Sequence, residues 1–224
     1  MKDSGFRGAL FDLDGVLVDT AEHHYLAWRV IADELGVPLS REKNERLRGV
    51  PRMASLEILV EDMGTKPTGL EALADRKNRL YVERVAGLTP ADALPGAREL
   101  LESLRAAGVR VGLGSSSRNA RAVLQRLDIE RYFDAIVDGH AVQRAKPDPE
   151  VFVRGARLLG LEPSACVVVE DAPAGIEAAV AAGAYPVAIV RGGVMPGARL
   201  NVHSVGDIPL SLWCGVQPPA KALR

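Results

Sequence analysis

Five short, almost wholly apolar runs constrain the fold of this chain more than any other feature: Gly8-Ala9-Leu10-Phe11, Val109 to Leu113, Ala135 to Val137, Val167 to Val169 and Pro186 to Val190. Each is too short for a buried helix and is bounded by turn residues, so each reads as a strand covered on both faces. Helical patterns lie between them: Ala97 to Ala107, with Leu100, Leu101 and Leu104 on one stripe and Gly108 as its stop, then Asn119 to Leu127, and Pro149 to Leu159. Strands without a polar face that alternate with helices imply an α/β fold with a parallel sheet at its centre.

One stretch breaks this rhythm. From Thr20 to about Asp92 only helical segments are found: Ala21 to Leu35, with Trp28, Ile31 and Leu35 on one face, then Arg41 to Arg48, Arg52 to Met63 and Gly69 to Val85. Roughly seventy residues of helix is too much for a single crossover. The expectation is a helical domain, residues 19–92, inserted after the first strand of a core made of residues 1–18 and 93–224. Its hinges would be Val16 to Asp19 and Leu88 to Asp92. The tail after Asp207, with Pro218-Pro219, is expected to be weakly structured.

Composition removes several function classes. With 28 basic and 29 acidic side chains the formal net charge is -1, which supplies no global field for nucleic acid or an anionic membrane, although a local patch stays open. No uncharged run approaches the roughly 20 residues of a membrane span, and Met1 to Arg7 carry no long apolar stretch. A cytoplasmic monomer without nucleic-acid or membrane partners is the expectation. Cys166 opens a buried run and reads as an inert thiol rather than half of a bridge to Cys214, which suits a reducing compartment.

In an open parallel sheet, chemistry collects at the carboxyl ends of the strands. Those ends carry Asp12-Leu13-Asp14-Gly15, then Gly114-Ser115-Ser116-Ser117-Arg118-Asn119, then Glu170-Asp171, with Lys146-Pro147-Asp148-Pro149 opening the helix before the fourth strand. Each has an ordinary reading by itself. Asp-x-Asp-Gly is a common turn, the serines serve equally well as a helix N-cap, Lys146 as a solvated charge and Glu170-Asp171 as a loop. Their order at successive strand ends favours chemistry, and the number and hardness of the oxygens suggest magnesium.

Phe11-Asp12-Leu13-Asp14-Gly15-Val16-Leu17-Val18-Asp19-Thr20, the serines after the second strand, Lys146-Pro147 and Glu170-Asp171-Ala172-Pro173-Ala174-Gly175 resemble the four motifs of the haloacid dehalogenase-like phosphotransferase superfamily. The likeness implies a Rossmann-like parallel sheet core with an inserted helical cap. It narrows toward the superfamily's sugar phosphomutases through Ala21-Glu22-His23-His24-Tyr25-Leu26-Ala27-Trp28, Leu47-Arg48-Gly49-Val50-Pro51-Arg52-Met53-Ala54-Ser55-Leu56, Arg76-Lys77-Asn78 and Thr89-Pro90-Ala91-Asp92.

By that resemblance Asp12 is the nucleophile that forms an aspartyl phosphate, and Asp14 is the general acid/base for the sugar hydroxyl. Elementary chemistry agrees: an ionised carboxylate needs no base to attack phosphorus, whereas the second Asp must both take and give a proton. The resemblance implies Mg2+ on the Asp12 side chain, the Asp14 carbonyl and Asp171, with Glu170 in support. It implies Ser115 and Lys146 on the transferring phosphate. It also places Arg52, Ser117, Arg118 and Asn119 on a second, distal phosphate, and His24, Gly49 and Lys77 around the sugar. Arg118 stands where the family pattern has lysine, which keeps the charge and changes its geometry.

The resemblance implies interconversion of β-glucose 1-phosphate and glucose 6-phosphate through a bound glucose 1,6-bisphosphate, with hexose phosphates as small-molecule substrates. A magnesium-dependent sugar-phosphate phosphatase is the alternative, and Arg52 favours the mutase because a simple phosphatase has no second phosphate to hold. A non-catalytic phosphosugar sensor would have no need of the nucleophile.

Overall fold

The computed structural model describes residues 5–47, 50–65 and 67–213. Strand β1 (Gly8–Phe11) is buried along its whole length and stands inside a six-stranded, wholly parallel sheet. The order is β3-β2-β1-β4-β5-β6, with β2 at Arg110–Gly114, β3 at Ala135–Val137, β4 at Cys166–Glu170, β5 at Tyr185–Ile189 and β6 at Leu200–Val202. Gly8 is in register with Arg110 on one side and Cys166 on the other, so the ends of β1, β2 and β4 open onto the same edge.

Period-two alternation distributes the core. Ala9, Phe11, Val111, Leu113, Val167 and Val169 pack with Leu100, Leu101 and Leu104 of α5 (Ala97–Ala106) and Val123 and Leu124 of α6 (Ala120–Arg126). The intervening residues Leu10, Cys166 and Val168 face the other way, onto Phe152 and Ala156 of α7 (Glu150–Leu158) and Ala178 and Ala179 of α8 (Pro173–Ala181). Burial on both faces, at roughly 1.5–3 kcal/mol per large apolar side chain, is why these strands carry no polar alternation.

All five apolar runs form strands. The sixth, Leu200–Val202, was not foreseen: it is three residues long, has an asparagine at its centre and pairs only with β5 at the sheet edge, so it lacks a continuous apolar signature.

Between β1 and β2 come α1 (Ala21–Leu35), α2 (Arg41–Glu45), α3 (Arg52–Leu59) and α4 (Leu70–Val85). They enclose their own apolar cluster of Trp28, Ile31, Ala32, Leu47, Leu56, Leu59, Val60 and Ala74. Gly36 at φ 66° closes α1 in the left-handed conformation that glycine adopts without steric cost. Two helices are shorter than expected. α3 stops at Leu59 because Val60 leaves helical geometry, and α2 stops at Glu45, its expected end at Arg48 lying outside the described residues.

The two chain crossings between the sheet and these helices run side by side. The Leu94 N–H donates to the Leu17 carbonyl at 2.9 Å, and Val18 pairs with Ala93 in an antiparallel bridge.

The chain after Asp207 is ordered through Trp213, against expectation. Trp213 is 2% exposed and its Nε1 donates to the Gly8 carbonyl at 3.0 Å, while the Phe6 N–H donates to the Leu212 carbonyl at 2.8 Å. A large apolar surface with one satisfied donor outweighs the cost of ordering a few polar residues. Pro218-Pro219 and Cys214 lie outside the described residues. Cys166 is buried, and that burial pushes its thiol up to about 11, which matches the inert reading. Among the described residues no helix is long and apolar enough to cross a membrane.

Candidate active site

Asp12 is the first residue past β1, and its N–H still bonds to the Val169 carbonyl at 2.9 Å, so the ladder holds its backbone. The chain then turns tightly, with Gly15 N–H on the Val18 carbonyl at 2.7 Å. Gly15 has φ 86°, and a Cβ there would collide with the Asp171 carboxylate. Only glycine lets the turn after β1 and the end of β4 approach so closely.

Lys146 is buried and makes three hydrogen bonds through Nζ: to Asp12 Oδ1 at 2.6 Å, to Glu170 Oε1 at 2.6 Å and to the Gly114 carbonyl at 2.9 Å. It therefore ties together the ends of β1, β2 and β4. The loop that delivers it is held by Glu150 in the first turn of α7, whose carboxylate accepts the Gln143 and Arg144 N–H groups at 3.1 and 2.9 Å. The second oxygen of Glu170 accepts the Asp171 and Ala172 N–H groups at 2.7 and 2.9 Å. Gly175 leaves room for this carboxylate, since a Cβ there would overlap it.

Asp12, Glu170 and Asp171 present carboxylate oxygens within 4.8 Å of one another. Burial raises the Asp12 carboxyl well above the usual carboxylate range; Lys146 opposes the rise, while Glu170, Asp14 and Asp171 add to it. Burial alone would lower the Lys146 ammonium, but Asp12 and Glu170 outweigh it and raise Lys146 above its usual value. Lys146 bonds to two of these carboxylates, Asp12 and Glu170, and the close grouping of hard oxygen donors from Asp12, Glu170 and Asp171 fits a divalent cation.

The serine run does not cap α6, whose N-cap is Asn119 without a side-chain capping bond. Ser115 is buried beside the cleft, and its Oγ accepts the Ser117 N–H at 3.1 Å, while Ser117 Oγ accepts the Asn119 N–H at 3.2 Å ahead of α6.

The helical side closes the cleft from above. Thr20, immediately before α1, makes no capping bond; its buried hydroxyl donates to Asp14 Oδ1. From α4, Lys77 donates to His24 Nδ1 at 2.7 Å, with Nζ 4.8 Å from the Trp28 ring centre and 5.1 Å from that of Tyr81. His24 stacks on Tyr81 with centroids 4.0 Å apart. Desolvation, with the Lys77 charge, holds the His24 imidazolium well below its usual range. Desolvation brings Lys77 down to about 7, with Asp14 opposing the fall and Arg52 adding to it. Arg52 begins α3 and pairs with Asp75 at 3.1 Å, and Asn119 donates to Asn78 of α4 at 2.9 Å, a direct bond from the sheet side to the helical side.

Every described residue expected at the site lines one cleft of about 340 Å3: Asp12, Asp14, His24, Arg52, Lys77, Ser115, Ser117, Arg118, Asn119, Lys146, Glu170 and Asp171. Gly49 lies outside the described residues. Thr20 and Asn78 were missed as site residues. Thr20 carries the signal of an ordinary helix cap, and Asn78 only its place beside Lys77.

The chain matches the haloacid dehalogenase-like hydrolase family over residues 6–183, and it belongs to that family. It is 44% identical over 210 residues to a β-phosphoglucomutase of Bacillus subtilis, covering 92% of this chain and 93% of the relative. It is 36% identical over 177 residues to a phosphorylated carbohydrates phosphatase of Thermotoga maritima, covering 78% and 80%. A crystal structure of a β-phosphoglucomutase from Clostridium difficile superposes with a TM-score of 0.86 at 35% identity, covering 91% of this chain and 93% of that one.

Proposed function

We infer that the protein is a phosphomutase that interconverts β-D-glucose 1-phosphate and glucose 6-phosphate through glucose 1,6-bisphosphate and an aspartyl-phosphate enzyme. The observation that carries this reading is one cleft that joins the Asp12–Asp14–Lys146 group to a second pair of cations, Arg52 and Arg118. Two cationic stations suit a substrate with two phosphates. The likeness to the Bacillus subtilis enzyme over nearly the whole chain supports it.

The residues divide the chemistry as follows. Asp14 takes the proton from a sugar hydroxyl, whose oxygen attacks the phosphorus on Asp12; the Asp12 O–P bond breaks and the bisphosphate forms. After the sugar turns end for end, Asp12 attacks the other phosphate and Asp14 returns its proton to the departing sugar oxygen, so no phosphate is consumed. The Thr20 hydroxyl on Asp14 orients that carboxyl. Lys146 and Ser115 neutralise charge on the transferring phosphoryl oxygens, and Arg52, Ser117, Arg118 and Asn119 grip the distal phosphate.

A Mg2+ ion, when bound, would spread the negative charge of the transferring group. Asp12, Asp171 and the Asp14 carbonyl would hold it. Glu170, with one oxygen on Lys146 and the other on two N–H groups, would support the ligands from behind. Residues 19–92 are proposed as a cap that opens and closes on the paired crossings, and the working form as a cytoplasmic monomer.

The test is an assay of β-glucose 1-phosphate with magnesium and a trace of bisphosphate, following glucose 6-phosphate and free phosphate together. Glucose 6-phosphate in large excess is the expected result. Free phosphate as the main product would replace the mutase by the sugar-phosphate phosphatase.

A further inference from the structure

Asn44 lies within α2, the five-residue helix Arg41–Glu45, where its local surroundings give it nothing to do. Ser40 caps that helix, accepting the Lys43 N–H at 3.0 Å through its side chain, and the Asn44 N–H is satisfied by the Ser40 carbonyl at 3.0 Å. Asparagine is a poor residue inside a helix, because its amide competes with the backbone for hydrogen bonds. Yet Asn44 is only 7% exposed and lines the cleft.

The other buried polar side chains of the cleft are all engaged. Lys146 joins Asp12 and Glu170, Thr20 bonds to Asp14, Lys77 to His24, Ser55 donates to the Val50 carbonyl at 3.2 Å, and Ser115 accepts from Ser117. No described residue gives the Asn44 carboxamide a hydrogen-bond partner. Its backbone carbonyl accepts the Leu47 N–H at 2.9 Å, and Leu47, Val50 and Trp28 line the same cleft. The carboxamide is thus left to the cleft, and a few well-placed polar groups are how a pocket fixes the orientation of a small molecule.

We propose that Asn44 is a specificity-determining residue that binds a hydroxyl of the hexose ring not involved in phosphoryl transfer. The inference rests on the reading of the protein as a hexose-phosphate enzyme. The cations of the cleft match phosphates; a neutral ring hydroxyl, which both donates and accepts, matches a carboxamide that offers one donor group and one acceptor side by side. Placed in the helical region, Asn44 would make ring recognition depend on cap closure.

The experiment compares glucose 6-phosphate with its 2-, 3- and 4-deoxy analogues as phosphoryl acceptors, by kcat/KM, in the wild-type protein, Asn44→Ala and Asn44→Ser. The wild type is expected to disfavour at least one analogue by about 10-fold or more. Asn44→Ala should accept that analogue and the parent sugar equally, with the loss falling on the parent. A general packing defect would slow both sugars and keep the ratio. Cooperative thermal unfolding identifies which variants fold, and Asn44→Ser is read if Asn44→Ala does not.

Wild-type indifference to all three analogues, or an unchanged ratio in a folded variant, overturns the proposal while leaving the function intact. Failure of the wild type to act on any hexose phosphate overturns the function and this inference with it.

Discussion

Replacing Lys77 with methionine should stabilise the ligand-free protein near neutral pH. Lys77 is 4% exposed, and burial brings its ammonium from an ordinary 10.5 down to about 7. At about 1.4 kcal/mol per tenfold, that gap corresponds to roughly 4–5 kcal/mol of strain from holding a buried charge. The bond to His24 and the rings of Trp28 and Tyr81 offset part of it, at about 0.5–1.5 kcal/mol each. Methionine keeps the length and apolar body of the side chain without the charge, so a net gain of about 2 kcal/mol is expected at pH 7.

The sign with pH follows from linkage. A lysine whose folded value is lowered releases its proton on folding between pH 7 and about 10.5. Wild-type stability contributed by this group therefore rises with pH through that window and is flat below it. The variant lacks this slope, so its advantage at pH 7 should vanish by pH 10, where the wild type keeps its contacts and no longer carries the charge. Urea unfolding of both proteins at pH 7, 8.5 and 10 measures this, and the difference between them isolates Lys77 from other titrating groups. Equal destabilisation of the variant at pH 7 and pH 10 would refute the argument.

Asp12→Asn should abolish turnover at saturating magnesium, since an amide cannot form the acyl phosphate, and chelation should silence the wild type; both are read in the coupled glucose 6-phosphate assay. Arg52→Ala should lower transfer to the sugar about 10- to 150-fold, the loss of one charge-assisted pair, while hydrolysis of the aspartyl phosphate changes little; equal losses in both would remove Arg52 from the distal phosphate. Trp213→Ala should cost about 3–5 kcal/mol in denaturant unfolding, through a lost core side chain and the lost Nε1 bond to the Gly8 carbonyl, whereas a dispensable tail would leave the midpoint unchanged.

The sequence by itself determined what depends on neighbours along the chain. Apolar runs such as Gly8–Phe11 become strands because burial on both faces removes any polar alternation, and Leu100, Leu101 and Leu104 mark one face of α5 because a helix repeats every 3.6 residues. Asp12, Ser115 and Glu170 could be found for the same reason, since each stands at a strand end, whereas His24 and Lys77, inside helices, are reached only through the family resemblance. Tertiary structure decided what depends on residues distant in sequence. Leu200–Val202 becomes a strand only because β5 offers an edge, and Trp213 is core only because it reaches the Gly8 carbonyl 205 positions away. Thr20 reads as a helix cap in sequence but gives its hydroxyl to Asp14, and Asn44, inside a short helix, is buried only because the cleft is built around it. Lys77 carries the same physical reason furthest: desolvation is set by the groups packed around a charge, here Trp28, Tyr81 and His24, and no local pattern records which groups those will be.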